Sequence, residues 1–462
     1  MAVAAGYHDT VIVGEDGCLF ACGGNYFGEL GTGNLNKQYS PTRIAGLPAP
    51  VRQVAAGNDH TGIVTEAGDL LMCGLGGDGR LGLGEEETRA TPTLVARTAF
   101  DCEAVLMVAC GGKHTVVVTE GGGVYTFGKG GWGQLGHGDK QNQPAPRRVP
   151  VAGFRPNGSP EGSGERIAMV AAGHGHTVAL SEAGHVFTWG LGNTGELGHN
   201  NLQNQLAPRQ VESGRRFGGE KVVFVAAGAG HTVAVTEGGR LYTWGWGTSG
   251  QLGHGDTRNR LVPTLVGAGA FGRVVMAACG GAHTLVVTHD GALWACGEGW
   301  YGQLGLNDKN ERHVFERVGV GAFGGARVVA AAAGKDHSAA VTEDGALWTW
   351  GNGYAGQLGH GNPSALHIFL PKQVTAQSLD SMRVGQFHST MEDICAFYMS
   401  QHPRLGANSV AKNLKPELLD MIVRMNIPNP SIVRMSPPKP SNDAMSRLLG
   451  LPYRVRTCKY CS

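Results

Sequence analysis

Short apolar runs separated by turn residues recur along the first three quarters of the chain. In one stretch, apolar runs at 222–227, 231–236 and 241–244 are followed by Pro263, which opens a last run at 264–266. Runs of this length, bounded by Gly, Asp and Asn, are typical of β-strands joined by tight turns. The pattern predicts four strands in each such stretch.

Each stretch is a copy of one frame. A first glycine follows a pair such as Ala-Ala or Ala-Cys, and a second glycine, in Gln/Glu/Arg-Leu-Gly, comes 25 residues later. The first glycines are Gly6, Gly57, Gly111, Gly173, Gly228, Gly280 and Gly334. The second are Gly31, Gly82, Gly136, Gly198, Gly253, Gly305 and Gly359. Seven copies in one register indicate a repeated supersecondary unit.

A four-stranded unit buries both of its faces only against neighbours, and a closed radial arrangement leaves only short edges. We therefore predict an all-β, seven-bladed β-propeller of four-stranded antiparallel blades over residues 1–374; an open solenoid is the alternative. Aromatic residues near the end of each third strand are expected to pack between blades. They are Phe20, Tyr125, Phe187, Tyr242, Trp294 and Trp348.

The composition agrees with a chain rich in tight turns, and its charge limits the classes of partner that we expect. Glycine supplies 76 of 462 residues without a collagen period, and charged residues make up only 16%, with a net charge of +1. Of 38 Lys and Arg and 37 Asp and Glu, eleven and six lie in 375–462, which leaves 27 and 31 before that segment. A mildly acidic body with a basic tail does not predict a broad phosphate-binding surface.

The chain has no apolar stretch near the ~20 residues of a membrane helix and no leader-like start. We expect no membrane partner and an intracellular location, cytoplasmic or nuclear. Five of the ten cysteines replace apolar residues of the frame, which favours small buried thiols over a disulfide framework. They are Cys22, Cys73, Cys110, Cys279 and Cys296.

Six copies carry Gly-x-Gly-x-x-Gly after the third strand. In a dinucleotide-binding turn this motif opens a helix, whereas here x-Leu-Gly and further turn residues follow. We interpret it as a structural turn and expect no cofactor.

A histidine stands three residues after the first glycine in six copies, followed by Thr or Ser; the first copy has Asp9 there. These histidines are His60, His114, His176, His231, His283 and His337. One histidine per blade is too widely distributed to ligate a single metal ion, so no metal is expected. We predict that each imidazole bonds to the backbone of a neighbouring loop; a contact ring for a partner is the alternative.

The tips of the glycine-bounded loops are often aromatic. They carry Tyr26, Phe27, Trp132, Trp246, Trp300, Tyr301 and Tyr354. Trp and Tyr are enriched at binding hot spots, and propeller loops cluster on one face. These seven residues are candidates for partner binding; packing over adjacent blades is the alternative.

The frame Ala-Ala-Gly, His-Thr, Tyr-Thr-Trp-Gly-x-Gly-x-x-Gly-Gln-Leu-Gly, clearest at 227–255, closely resembles the repeat of the regulator of chromosome condensation family. The resemblance covers about residues 1–374 and implies a seven-bladed propeller. Members include a guanine-nucleotide exchange factor for a nuclear Ras-like GTPase, a plant ultraviolet photoreceptor and modules of ubiquitin ligases. The fold therefore does not decide the function.

Two departures from these relatives bear on function. The photoreceptor type carries tryptophans two residues before the repeat histidine. Those places here hold Asn58, Gly112, His174, Ala229, Gly281 and Lys335. The chromatin-bound exchange factor has a basic N-terminal arm and a wedge where one blade loses the glycine-rich Leu-Gly stretch. This chain keeps that stretch in all seven copies, and its first strand is expected to begin almost at Met1. Light sensing and a nucleic-acid or chromatin partner are not expected.

Residues 375–462 lack the frame and are predicted to be mainly helical and partly disordered. Ser389 and Glu392 resemble a capping box, a second helix is expected from Pro416, and 436–443 is rich in proline. The stretch 414–423 resembles the opening of an F-box, with a plain amphipathic helix as the alternative. The terminal Cys-x-x-Cys supplies two zinc ligands where four are needed.

These observations favour a non-catalytic protein-interaction scaffold that binds one or more proteins and is not an enzyme. Two alternatives stay open. One is a guanine-nucleotide exchange factor for a Ras-like small GTPase; the other is a substrate adaptor of a ubiquitin ligase, recruited through the F-box-like helix.

Overall fold

A computed structural model of the chain describes residues 1–156, 164–211, 216–267, 271–319, 321–364 and 366–375. In these ranges 28 strands form seven antiparallel sheets of four, each built from four consecutive strands. The predicted seven-bladed β-propeller is confirmed, with blades 1 to 7 in chain order. The helices, the proline-rich stretch and the terminal cysteines predicted after residue 375 lie outside the described residues.

The first strands of blades 1 to 7 are β1 (Ala2–Ala5), β5 (Val51–Ala56), β9 (Val105–Cys110), β13 (Ile167–Ala172), β17 (Val222–Ala227), β21 (Val274–Cys279) and β25 (Val328–Ala333). The second are β2 (Asp9–Val13), β6 (His60–Thr65), β10 (His114–Thr119), β14 (His176–Ser181), β18 (His231–Thr236), β22 (His283–Thr288) and β26 (His337–Thr342). The third are β3 (Leu19–Gly23), β7 (Leu70–Gly74), β11 (Val124–Gly128), β15 (Val186–Gly190), β19 (Leu241–Gly245), β23 (Leu293–Gly297) and β27 (Leu347–Asn352). The fourth are β4 (Gln38–Arg43), β8 (Arg89–Leu94), β12 (Gln143–Arg148), β16 (Gln205–Gln210), β20 (Arg260–Leu265), β24 (Arg312–Arg317) and β28 (His367–Gln373). Short 3-10 turns lie at Gly77–Gly79, Arg97–Phe100 and Val151–Phe154.

The fourth strands differ from the prediction in one respect. Pro263 does not open β20 but lies inside it, where the pairing with β19 shifts register between Thr243 and Gly245. An irregular ladder tolerates a residue without an N–H group. The proline ring also packs within 3.2 Å of the position that a Cβ on Gly198 of the preceding blade would occupy.

The ring closes between blade 7 and blade 1 without exchange of a strand. The Lys335 N–H donates to the Gly6 carbonyl at 3.2 Å, and the Thr10 hydroxyl donates to the Gln357 carbonyl at 2.7 Å. β1 also packs against β25. An open solenoid is therefore excluded, and blades 7 and 1, farthest apart in sequence, are neighbours in space.

The first frame glycines pack backbone to backbone around the axis. A Cβ built on Gly228 would lie 2.7 Å from the Gly280 carbonyl oxygen of the next blade and 2.3 Å from Cε1 of His231. The other six first glycines meet the next blade's glycine carbonyl at 2.5 to 2.6 Å in the same way. Only glycine allows this close approach, which explains why the frame keeps it.

The repeat histidines join adjacent blades through a hydroxyl relay. His231 Nε2 lies 2.9 Å from Thr284 Oγ1 of blade 6, and that hydroxyl donates at 2.7 Å to the Gln251 carbonyl of blade 5. Because the single hydroxyl proton goes to the carbonyl, Nε2–H of the imidazole must be the donor to Oγ1. The contact is to a side-chain hydroxyl rather than to the loop backbone that the sequence suggested.

The interface between two adjacent blades is termed a seam below. Five further seams repeat this relay, with 2.9 to 3.0 Å between Nε2 of the histidine and the hydroxyl oxygen of the next blade. The pairs are His60 with Thr115, His114 with Thr177, His176 with Thr232, His283 with Ser338 and His337 with Thr10. Burial lowers the pKa of His231 to about 4 and the pKa values of four others to about 3. The imidazoles are therefore neutral near pH 7, and the relay places their single proton on Nε2.

A second donor reaches the same carbonyls from the third strands. The indole N–H groups of Trp189, Trp244 and Trp350 donate at 2.9 Å to the carbonyls of Gln134, Glu196 and Gln303 of the preceding blades. Cys73 and Cys296 occupy the equivalent places and reach their carbonyls at 3.5 and 3.4 Å. Burial raises the pKa of both thiols, so they are unreactive packing groups.

The aromatic residues predicted to pack between blades divide into two groups. Phe20, Tyr125, Phe187 and Tyr242 are buried. Trp294 and Trp348 are half-buried and contact Phe271 and Phe323, with ring centroids 5.8 and 5.7 Å apart.

The seam between blades 1 and 2 lacks the imidazole. The Thr61 hydroxyl still donates to the Glu29 carbonyl at 2.8 Å, but Asp9 replaces the histidine. The Asp9 side chain is 2% exposed, and its Oδ2 has no hydrogen-bond partner among the described residues. Burial, with the nearby carboxylates of Glu29 and Asp59, raises the pKa of Asp9 well above its ordinary value.

We expect Gly136→Ala to destabilise the ring by about 1–3 kcal/mol more than Gly138→Ala. Both glycines have φ near +80°, so both substitutions carry the same backbone strain. A Cβ at Gly136 would lie 2.8 Å from Trp189 Nε1 of the next blade, whereas one at Gly138 meets nothing within 4 Å. Thermal unfolding measures the difference; equal melting temperatures would contradict the inter-blade packing.

Asp9→Asn should become more stabilising as the pH rises. A folded pKa above the unfolded value of about 3.9 means that the native state holds the proton more tightly. The stability from the protonated carboxyl is complete below that value and is lost, at up to about 1.4 kcal/mol per pH unit, as the pH rises through the folded pKa. Melting temperatures of both proteins at acidic, neutral and alkaline pH test this, and a pH-independent difference would show that the pKa of Asp9 is the same in the folded and unfolded states.

Candidate functional site on the loop face

One face of the propeller carries two sets of connections. In each blade the first strand ends, the second begins, the third ends and the fourth begins at the same edge, as shown by the pairing of Asp9 with Gly23 and of Gly23 with Gln38. The turns between first and second strands, here termed AB turns, and the loops between third and fourth strands, termed CD loops, therefore share this face. It is called the loop face below.

The AB turns surround an axial cavity of about 150 Å³. Its wall is a ring of small residues that end the first strands. They are Ala5, Ala56, Cys110, Ala172, Ala227, Cys279 and Ala333. The six positions two residues before the repeat histidines, where the photoreceptor type has tryptophan, also line this cavity, and none of them is a tryptophan here. Two of them approach each other beside Gly112, with 3.5 Å between Asn58 Nδ2 and His174 Nδ1.

One residue of each Gln/Glu-Leu-Gly motif fixes the tip of its CD loop. The Glu29 carboxylate accepts the backbone N–H groups of Tyr26 and Phe27 at 3.0 and 2.7 Å. Gln303 Oε1 accepts the Tyr301 N–H at 2.9 Å in the same way. The backbone carbonyls of Glu29 and Gln303 take the hydroxyl donors of the next blade. The residue that connects two blades therefore also holds the tip loop rigid.

The predicted aromatic residues do not form an even ring. Trp300 is 60% exposed, Tyr354 55%, Tyr26 50% and Phe27 38%, and these are the exposed aromatic side chains of the described residues. All four lie on blades 6, 7 and 1, which are contiguous because the ring closes between blades 7 and 1. With Tyr301 they form what we term the aromatic arc.

The remaining candidates lie elsewhere and are half-buried. Trp132 of blade 3 packs beside His174 of blade 4, with ring centroids 6.0 Å apart, and Lys129 Nζ lies over its ring at 5.3 Å. Trp246 of blade 5 packs within 3.3 Å of the position that a Cβ on Gly230 would occupy. The Trp132 contact crosses to the next blade, whereas the Trp246 contact with Gly230 lies within blade 5. The six repeat histidines lie between the blades, buried beneath the face.

The arc includes residues that the sequence did not single out. His367, at the start of β28, lies between Tyr301 and Tyr354, with ring centroids 5.1 and 5.0 Å away. Burial, then Lys309, lowers the pKa of His367. At the other end, His8 of the first AB turn contacts Tyr26 with centroids 6.4 Å apart. Neither histidine belongs to the repeated frame, so the frame alone could not identify them.

Lysines accompany the arc. Lys37 Nζ lies 5.0 Å from the centroid of Tyr26, and Lys309 Nζ lies 5.5 Å from that of Phe369. Lys335 Nζ lies 4.4 Å from the ring of Tyr7 and 3.8 Å from the Asp336 carboxylate. Such contacts contribute about 0.5–1 kcal/mol each at exposed positions and hold the ammonium groups in place.

Within the described ranges, no three His, Cys, Asp or Glu side chains come together as a metal centre would require. Nor do those ranges contain a helix of the length and apolarity needed to cross a membrane.

Family models match most of the chain. The RCC1-like domain matches residues 102–391, and the regulator of chromosome condensation (RCC1) repeat matches residues 16–64 and 67–118.

Three curated relatives show how varied the matched proteins are. The ultraviolet-B receptor UVR8 of Arabidopsis thaliana is 37% identical over 321 residues, which are 69% of each protein. The human E3 ubiquitin-protein ligase HERC2 is 34% identical over 82% of this chain, which spans only 8% of that ligase. A secretion-regulating guanine nucleotide exchange factor of Bos taurus is 29% identical over 64% of this chain and 63% of its own length.

Among solved structures, human WBSCR16 superposes with a TM-score of 0.68 at 25% identity, covering 78% of this chain and 94% of that one. The family models, the extent of the UVR8 match and the shared architecture agree with the resemblance of the repeat frame. The chain therefore belongs to the regulator of chromosome condensation (RCC1) family.

Proposed function

We propose that this chain is a non-catalytic protein-interaction module and that the aromatic arc is its contact surface. The observation that carries the proposal is that the four exposed aromatic side chains of the described residues lie on three adjacent blades of one face. A partner that lay across blades 6, 7 and 1 would contact all of them together.

The energetics of the arc fit a binding surface. Aromatic side chains left in water forgo burial worth about 1.5–3 kcal/mol each, and that free energy becomes available on binding. Their loops are already fixed, since Glu29 and Gln303 bind the tip N–H groups. Little ordering entropy is then lost when a partner binds.

Nucleotide exchange on a small GTPase is the second candidate. It is favoured by the match to the secretion-regulating exchange factor over nearly two thirds of both chains. Exchange factors act by binding, so the same loop face could serve this activity without a catalytic side chain. The ubiquitin-adaptor alternative depends on the F-box-like stretch outside the described residues, and the ligase activity of HERC2 is not carried over from an 8% overlap.

We expect the double variant Trp300→Ala and Tyr354→Ala to lose most of the proteins that the wild type captures, because it removes two hot-spot anchors. Leu202→Ala is the matched control, since Leu202 is 55% exposed on the CD loop of blade 4. Quantitative mass spectrometry of captured proteins, with melting temperatures checked for all variants, gives the comparison. Unchanged capture by the folded double variant would refute the arc as the contact surface.

Across a panel of Ras-like GTPases, we expect the protein to leave the release of fluorescent GDP at its intrinsic rate. Acceleration of about tenfold or more on any member, equivalent to about 1.4 kcal/mol of barrier, would establish exchange and replace the scaffold proposal.

A further inference from the structure

We propose that the arc binds an acidic protein segment, in which Asp or Glu side chains flank apolar or aromatic anchors and pair with Lys37 and Lys309. This inference rests on the proposed function and specifies the chemistry of its partner.

The two lysines occupy opposite ends of the arc. Lys309 is on blade 6 with Trp300, and Lys37 is on blade 1 with Tyr26. Each ammonium lies over an aromatic ring, and neither forms an ion pair with a carboxylate in the part of the chain that the structure describes. A protein carboxylate that bound beside these rings would meet a positioned cation.

Three of the carboxylates around the arc are already engaged. Asp308 holds Arg312 at 2.6 Å, and Asp336 lies 3.8 Å from Lys335. Glu29 is bound to two backbone N–H groups. Lys37 and Lys309 therefore have no carboxylate partner within the described residues, and their pairing with a partner's carboxylates strengthens as the interface excludes water.

Negative charge lies on the inner side of the arc. Glu298 is half-buried, and burial, followed by Asp336 and Glu311, raises its pKa. Asp336 has a pKa raised by burial as well. A phosphate chain that ran along the arc would approach both groups, whereas a peptide presents carboxylates only at chosen positions. Aromatic residues with lysines also suit single-stranded nucleic acid, but this charge arrangement and the net charge of +1 favour a protein segment.

The rim of blade 2 has the opposite character. Glu85, Glu86 and Glu87 are consecutive there, with Arg89 paired to Glu85 and Glu87. An acidic segment is repelled from this rim and attracted to blades 6 and 1, so charge fixes where on the loop face it binds.

The test uses the full-length protein and a phage-displayed library of random linear peptides. Enriched peptides are sequenced, synthesised with a fluorophore and titrated by anisotropy. We expect Asp or Glu beside apolar residues, and affinities that fall as NaCl is raised. The charge reversals Lys37→Glu and Lys309→Glu together, and Trp300→Ala with Tyr354→Ala, should each weaken binding about tenfold or more.

Lys140→Glu is the matched control. Lys140 is exposed on the CD loop of blade 3, four residues after Gly136, as Lys309 is four residues after Gly305. It should leave the affinity of the enriched peptides unchanged.

The outcomes separate the two proposals. One outcome would be neutral or basic peptides that need Trp300 and Tyr354 but bind the Lys37→Glu and Lys309→Glu double variant as tightly as the wild type. That outcome would overturn the acidic partner and leave the binding surface intact. An enriched set indifferent to Trp300 and Tyr354, or no enrichment, would overturn the arc itself. Tighter binding of labelled oligo(dT) than of any enriched peptide would assign the arc to single-stranded nucleic acid instead.

Discussion

The ring depends on one buried carbonyl in each blade, that of the residue before Leu-Gly. In every seam a hydroxyl of the next blade donates to it, and in three seams an indole N–H does so as well. Left without donors, a buried carbonyl would cost about 1–3 kcal/mol, so the blades can separate only by breaking several such bonds together. In the blades that carry Gln or Glu here, the side chain of the same residue also holds the tip loop. In those six blades, stability of the seam and presentation of the loop face are therefore properties of one residue.

In this arrangement the most conspicuous residues of the frame have structural roles and are not available for catalysis. The histidines, threonines and Gly-x-Gly-x-x-Gly turns are used in seams and close backbone contacts, and buried neutral imidazoles with pKa values of about 3 cannot serve as bases near pH 7. What can differ between members of the family without disturbing the ring is the outer part of the loops. The function of this chain must be sought there, among Tyr26, Trp300, Tyr354 and the lysines beside them.

Most of the fold could be predicted from the glycine spacing. Seven copies of a four-stranded unit, each framed by two glycines 25 residues apart, leave few arrangements that bury both faces of every unit. Two details did not follow. Pro263 could not be placed inside β20, since the register shift opposite Thr243 is a property of the pairing rather than of the run. The hydroxyl relay was invisible because the bonded histidine and threonine are more than fifty residues apart. The asymmetry of the candidate site was hidden as well: Trp300 of blade 6 and Tyr26 of blade 1 belong to one arc only because blade 7 meets blade 1.

One end of the arc lies beside the seam between blades 1 and 2, where the ring departs from its repeated relay. Backbone hydrogen bonds link blade 1 to both of its neighbours. In the side-chain relay, blade 1 joins blade 7 through His337 and Thr10, whereas towards blade 2 the donors are the Thr61 hydroxyl and the Cys73 thiol, with Asp9 in place of the imidazole. Glu29 belongs to this seam and also fixes Tyr26 and Phe27. A partner that binds these two side chains selects the conformation in which Glu29 is correctly seated. Since any ligand that binds only the native state stabilises it, a partner on the arc should stabilise the seam that lacks the imidazole.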